Sequence, residues 1–265
     1  MLARVTKVNA VSTCIAHHSE LARFNRSPRV AKQASCFSVF ESVAFKLATG
    51  SRRDFAIDLR RIAESPRFVE SIRLLSRSRG ELRRVAALSY RHGNGFLKLQ
   101  LASHRHSKLR LHVWMPGQLA EENIHDHRWA FASYVLTGTL HSDYFVDDPH
   151  GGIVGVEYRH VARDAQGQPA RKARVGSARL RRTVCSARTR GQVYMMRPSE
   201  LHRICRTNAN ELVATLMITA PPRELHSRLI VQETIGLDPE VDPSPLRPYE
   251  VKGALQVVLE AIGRN

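Results

Sequence analysis

The stretch that decides the fold is IHDHRWAFASYVLTG, residues 124–138. Successive side chains of a β-strand point to opposite faces, so residues i and i+2 share a face. His125 and His127 therefore project together into whatever that face encloses. The apolar run that follows is typical of a buried strand, and it ends at Gly138, where we expect a tight turn. The two imidazoles could bind one metal ion, or they could be two ordinary strand side chains.

A second stretch, RGQVYMMRPSELHRI at 190–204, adds a third histidine. It presents Gly191, a short hydrophobic strand, Pro198 and then His202. An HxH pair joined to a later Gly–Pro–His predicts a metal site made of His125, His127 and His202. Neutral imidazoles favour a divalent transition metal such as iron, zinc or copper, and disfavour an all-oxygen ion such as calcium.

The sequence around these stretches alternates between apolar and polar residues, as in β-strands. From Gly95 onward, short alternating or β-branched runs are separated by turn residues, which predicts a β-sandwich or barrel. Helix starts are predicted before them at Ser51 with Asp54, and at Ser65-Pro66. We predict four regions: a flexible tail at 1–34, a helical region packing on the barrel at 35–90, the barrel at 91–235, and a Pro-rich link with a C-terminal helix at 236–265.

The run KLRLHVW, residues 108–114, shows the clearest alternation. Such a run predicts a strand with two chemically different faces. One face carries Leu109, Leu111 and Val113, and the other carries Arg110, His112 and Trp114.

Composition restricts the class of protein. No window approaches the roughly 18 uninterrupted apolar residues of a membrane span, so we expect no membrane partner. The four cysteines form no CxxC pair, and no secretory signal is present, which favours a reducing cytoplasm over a disulfide framework.

The formal net charge of +17 raises a second possibility, a nucleic-acid or polyanion binder. The stretch from Arg159 to Arg206 holds thirteen Lys or Arg against Asp164 and Glu200. It lacks the interleaved aromatic residues of a single-strand binding surface, so nucleic acid is the less favoured partner. We interpret 147–190, where this charge concentrates, as a surface loop, with an arginine-rich lid over an anionic substrate as the alternative.

These motifs resemble those of the cupin superfamily, and within it the chain looks like the cysteine dioxygenase group. The matching stretches are KLRLHVW, IHDH, GTL before an aromatic-rich strand, GQVYMM, LHRI and LMITAPP, within about 80–225. The resemblance implies a mainly β jelly-roll barrel of the RmlC-like cupin type, with a small N-terminal helical region and a C-terminal helix. It also implies that the three histidines hold iron(II) and that dioxygen is added to the sulfur of a bound thiol.

The chain departs from that group around the metal site. Counting back seven residues from Gly138, where many cupins place a fourth ligand, reaches Phe131. The group's Ser-His-Tyr set aligns with Thr215, Met217 and Thr219, so its Cys–Tyr crosslink cannot form. With Phe131, Met217 and Thr219 lining it, the pocket would be less polar and suited to a larger or more apolar substrate.

Two further residues are candidates for the chemistry. The arginine that binds the substrate carboxylate in the group falls near Lys98, which keeps the charge but loses the bidentate fork. Lys98 could equally be a solvated strand lysine. Tyr194 shares the parity of His202 if the turn around Pro198 adds no bulge, and it is otherwise a core aromatic.

The sequence therefore predicts a cupin dioxygenase with iron(II) as cofactor. Its partners would be dioxygen and a small thiol or amino-acid-like substrate; the oligomeric state stays open. One alternative is a metal-binding cupin without oxygen chemistry, such as a hydrolase, isomerase or ligand sensor. The other is the basic nucleic-acid or polyanion binder.

Overall fold

The computed structural model describes residues 40, 52–117, 122–161, 170–205, 208–233, 235 and 243–263. Within 52–90, the structure has three helices: α1 (Arg52–Ala63), α2 (Pro66–Arg77) and α3 (Arg79–Ala87). A fourth helix, α4 (Pro248–Gly263), closes the chain. The predicted tail at 1–34, the predicted cap at Ser51 and much of the Pro-rich link lie outside the described residues.

Among the described residues, twelve strands lie between α3 and α4. They are β1 (Tyr90–Arg91), β2 (Leu97–His104), β3 (Ser107–Trp114), β4 (Ile124–His125), β5 (Phe131–Thr137), β6 (Thr139–Asp147), β7 (Ile153–Val161), β8 (Arg171–Thr189), β9 (Val193–Met196), β10 (Leu201–Cys205), β11 (Val213–Thr219) and β12 (His226–Val231).

Helix α2 begins where the sequence predicts. The Ser65 hydroxyl accepts a hydrogen bond from the Phe68 amide at 3.2 Å, and Pro66 occupies the first turn, where its missing N–H costs nothing. The apolar side of the helix, with Phe68, Ile72 and Leu75, is buried in the main core. The helical region thus packs on one face of the β structure.

Six antiparallel strands form sheet A, in the order β1-β2-β3-β11-β5-β9. The predicted alternation of residues 108–114 is confirmed, because Leu109, Leu111 and Val113 belong to the core shared with the helices. On the other face, Arg110 and His112 line a cavity. Strand β3 therefore has one apolar face in the core and one polar face in the cavity.

The remaining strands form sheet B, which closes into a ring in the order β10-β4-β12-β7-β8-β6. Strand β8 is 19 residues long; its first half pairs with β7 and its second half with β6, the two meeting at Leu180. The interpretation of 147–190 as a surface loop is therefore wrong for the described residues. Ala178 and Leu180 are buried in the core of the ring, while the arginines of β8 other than the half-buried Arg188 are exposed.

Charged groups also stabilise the ring. The Arg228 guanidinium donates to both carboxylate oxygens of Asp147 at 2.8 Å and to both of Glu157 at 2.7 and 3.1 Å. Hydrogen bonds from Arg228 hold the pKa of Asp147 below its ordinary value. The three side chains join β12, β6 and β7.

Gly155 is required where β7 packs against β12. A Cβ atom at this position would lie 2.7 Å from Ile230 Cγ2 and 2.8 Å from the Val231 carbonyl oxygen. Since overpacking typically costs 1–3 kcal/mol, we expect Gly155→Val to lower the free energy of unfolding by roughly 2 kcal/mol or more. Denaturant unfolding monitored by circular dichroism measures this.

Gly176 provides the matched control for that measurement. It lies on β8 within the same ring, and a Cβ atom there would meet nothing within 4 Å. Gly176→Val should therefore leave the unfolding midpoint nearly unchanged. Equal stability of the two variants would contradict the close packing inferred at Gly155.

Strands of both sheets line one shared cavity, and the predicted mainly β architecture with a helical region and a C-terminal helix is confirmed. The turn expected at Gly138 is present, with φ of +74°, and a Cβ there would lie 2.4 Å from the Leu212 carbonyl oxygen. Cys185 and Cys205 are free thiols. None of the helices in the described ranges has the length and apolarity needed to span a membrane.

Candidate metal centre

Sheet B brings the three predicted histidines together. His125 lies on β4 and His202 on β10, where the two residues are direct partners in the strand register, and His127 follows β4. The ring centroids lie 4.5 Å apart for His125 and His202, and 5.1 Å apart for each pair that includes His127. One ring nitrogen from each residue lies within 4.8 Å of the other two. The cluster is a possible metal site.

Backbone carbonyls orient two of the rings. His125 Nδ1 lies 2.9 Å from the Asn123 carbonyl oxygen, and His202 Nδ1 lies 3.5 Å from that of Glu200. When Nδ1 donates its proton to a carbonyl, Nε2 keeps its lone pair for a metal ion. The tautomer with its proton on Nδ1 would therefore suit metal binding.

Burial also keeps the three rings neutral. It lowers the pKa of His127 well below its ordinary value, and the charges of His125 and His202 lower it further. The pKa of His202 is lowered by burial and by His125, and that of His125 mainly by burial. Neutral imidazole is the form that binds a metal ion, so the donor set fits a divalent transition metal.

Phe131, which stands in the sequence where many cupins place a fourth metal ligand, lies beside the three histidines. Its ring centroid lies 5.1 Å from His127 and 6.4 Å from His202, in a buried cluster with Met196 and Met217. Tyr194 lies behind it, with ring centroids 5.9 Å apart. This side of the three histidines is consequently an apolar wall without a carboxylate.

A cavity of about 600 Å³ opens in front of the histidines. Of the residues predicted from the sequence, it is lined by His125, His127, Lys98, Met217 and Thr219. Phe131, Tyr194 and His202 are absent from its described lining, with His202 4% exposed. The volume exceeds what a molecule the size of cysteine needs.

The lining is strongly cationic. Among its described members are seven Lys or Arg and one acid, Asp126, whose carboxylate accepts a hydrogen bond from the Arg228 amide at 2.7 Å. Lys98 donates to the Tyr90 hydroxyl at 2.7 Å, and its amino group lies 4.9 Å from the centre of that ring. Burial and then the charge of Arg110 lower the pKa of Lys98. Such a cavity favours an anionic ligand.

The cavity also holds residues to which the sequence alone assigned no role. Arg110 and His112 are 6% and 7% exposed, and His92 stacks on Phe96 with ring centroids 4.5 Å apart. Burial lowers the pKa of Arg110 to about 10. The alternation of KLRLHVW placed Arg110 and His112 on the face opposite the leucines, and an inward charge in a two-sheet fold could have marked that face as functional.

Neither a protein-family model nor a curated protein sequence matches the chain. Among solved structures, it is similar to a Klebsiella pneumoniae protein with a double-stranded β-helix domain, at 12% identity, covering 57% of this chain and 95% of that one, with a TM-score of 0.32. An RmlC-like cupin from Shewanella frigidimarina matches at 19% identity, 51% and 85% coverage, and a TM-score of 0.30.

A hydroquinone 1,2-dioxygenase, in complex with Cd²⁺ and 4-hydroxybenzonitrile, matches at 9% identity, 47% and 63% coverage, and a TM-score of 0.28. The chain thus spans less than two thirds of that enzyme. At these TM-scores, the fold assignment rests on the strand order and pairing of the chain itself.

Proposed function

We propose that the protein is an iron(II)-dependent dioxygenase that acts on a small thiol or amino-acid-like compound. The observation that carries this proposal is the set of three neutral histidines, to which no described residue adds a carboxylate, with His125 and His127 lining a cationic cavity. Bound iron(II) would supply open coordination positions where substrate and dioxygen can meet.

The residues around the histidines would bind and orient the substrate. Lys98, fixed by Tyr90, would hold an acidic group of the substrate. Phe131 and Met217 keep water from one side of the metal ligands. Tyr194 packs on Phe131 and acts as a positioning residue for that ring. Thr219 fixes β3 by accepting from the Lys108 amide at 3.1 Å.

Metal content and oxygen uptake test the proposed activity. Protein purified without oxygen would be analysed for metals by mass spectrometry, and then mixed with cysteine, homocysteine, 3-mercaptopropionate and larger thiols. We expect near-stoichiometric iron and thiol-dependent oxygen consumption. Stoichiometric zinc, with no uptake for any thiol, would overturn the proposal in favour of a metal-binding cupin without oxygen chemistry.

The role of Lys98 gives a separate prediction. Replacing Lys98 with Met removes a charged donor, and hydrogen bonds to charged groups contribute about 1.5–3 kcal/mol. We therefore expect KM to rise at least about tenfold, with a smaller effect on kcat, in steady-state oxygen-uptake assays. Lys252→Met, an exposed change on α4, is the matched control. An unchanged KM would show that Lys98 does not contact the substrate.

A further inference from the structure

Three cationic side chains lie along the faces of β2 and β3 that line the cavity. Lys98 pairs in register with His112, and Arg110 and Lys108 follow His112 at two-residue intervals toward the β2–β3 turn. Lys98, Arg110 and Lys108 all line the cavity. Lys98 lies opposite His112, which is four residues from Lys108 along β3. At a rise of about 3.4 Å per residue, Lys98 and Lys108 are thus roughly 14 Å apart along the strand direction.

Trp129 connects this row to the metal ligands. Its ring stacks on His127 with centroids 5.8 Å apart, and the guanidinium groups of Arg110 and Arg128 lie 5.3 and 5.5 Å from its centre. Lys108 and Arg110 are two residues apart on β3 and therefore share a face. Burial lowers the pKa of Lys108, and the charges of Arg110 and Arg128 lower it further. We call Lys108, Arg110 and Arg128 the outer cation group.

The outer cation group lacks a negative partner within the described part of the cavity. Arg110 is 6% exposed, and its Nε atom is buried with no hydrogen-bond partner among the described residues. Trp129 Nε1 likewise has no partner among them. Asp126, the acid of the described lining, is engaged by the Arg228 amide. Burying a charge without a partner is unfavourable, and a bound anion would remove that cost.

We infer that the substrate carries two acidic groups, one bound at Lys98 and the other at the outer cation group. The substrate class is thus an extended dianion, either a dicarboxylate or a carboxylate with a phosphate-like group. Calling this molecule the substrate rests on the proposed function, whereas its binding requires no turnover.

Calorimetric titration of the metal-loaded full chain at fixed ionic strength tests this inference. The probes are hexanoate, the dicarboxylates from succinate to sebacate, and phosphonoalkanoates of matched length. We expect at least one diacid to bind about tenfold or more tightly than hexanoate, with a clear optimum in chain length. A tighter phosphonate than dicarboxylate of that length would name the outer group as phosphate-like, and the reverse order would name it as a carboxylate.

Two double variants locate the second acidic group. Lys108→Gln with Arg128→Gln should reduce the affinity of the best diacid to that of hexanoate while leaving hexanoate binding unchanged. Arg83→Gln with Arg179→Gln removes the same charge from exposed positions outside the cavity and should change neither. Diacids that bind no better than hexanoate, or equal losses in both variants, would overturn the inference. These titrations measure binding and not oxygen uptake. Failure of the proposed dioxygenase activity would therefore be seen in the oxygen-uptake assay and not in these titrations.

Discussion

Replacing His202 with Ala should remove the bound metal and abolish turnover. His202 is buried between His125 and Tyr144 in the strand register and would supply one of the three proposed ligands, so its loss would leave two imidazoles. Residues that only orient a metal ligand contribute 10–100-fold to affinity or activity, and a ligand itself should contribute more than about a hundredfold. Metal analysis by mass spectrometry and oxygen uptake measure both effects.

His150→Ala provides the control for this variant, because His150 is exposed in the turn between β6 and β7. It should keep full metal content and rate. Unfolding midpoints compared in the presence of a chelator distinguish metal loss from misfolding. A His202→Ala protein that retains stoichiometric metal and full activity would show that His202 is not a ligand.

Glu122→Gln should stabilise the protein at high pH and have little effect at low pH. Glu122 is 2% exposed; its Oε2 accepts from the Ile204 amide at 3.0 Å, and its Oε1 is buried without a partner among the described residues. Burial raises its pKa from 4.5 to about 8, opposed by the Ile204 hydrogen bond. The folded protein therefore holds this carboxyl in its neutral form.

The direction of the pH effect follows from linkage. Below pH 4.5 both states bind the Glu122 proton, and between pH 4.5 and about 8 only the folded state does, so folding stability falls across this window. At about 1.4 kcal/mol per pH unit, the free energy of unfolding falls by roughly 3–5 kcal/mol across this window. Glutamine does not titrate, so the Glu122→Gln protein should not show this loss. Denaturant unfolding of both proteins at pH 5 and pH 8.5 measures the difference. An equal difference in unfolding free energy between the two proteins at both pH values would contradict a buried, neutral Glu122.

The sequence predicts much of the site because its residues follow the simplest rules of strand geometry. Two-residue spacing brings His125 and His127 to one side, whereas His202 is implied by the resemblance of the Gly–Pro–His stretch to the second cupin motif. The same alternation separates Leu111 from His112. The Ser65-Pro66 cap likewise depends on neighbouring residues alone.

Features that depend on distant partners could not be predicted in this way. β8 is rich in arginine and reads as a polar loop, and it becomes a strand because β6 and β7 both pair with it. The depth of Arg110 and the neutral state of Glu122 depend on burial, which arises only when the sheets face each other. Tyr194 shows the limit of parity, since Phe131 lies between its ring and His127.

Strand β4, which bears His125, is two residues long and pairs with β10 on one side and β12 on the other. So short a segment has no stability of its own, and its partners lie far along the chain: His125 pairs with both His202 and Leu229. Contacts between distant segments form late, because closing a long loop costs entropy before the contacts repay it. We therefore expect the three histidines to come together late in folding, after the local hairpins have formed.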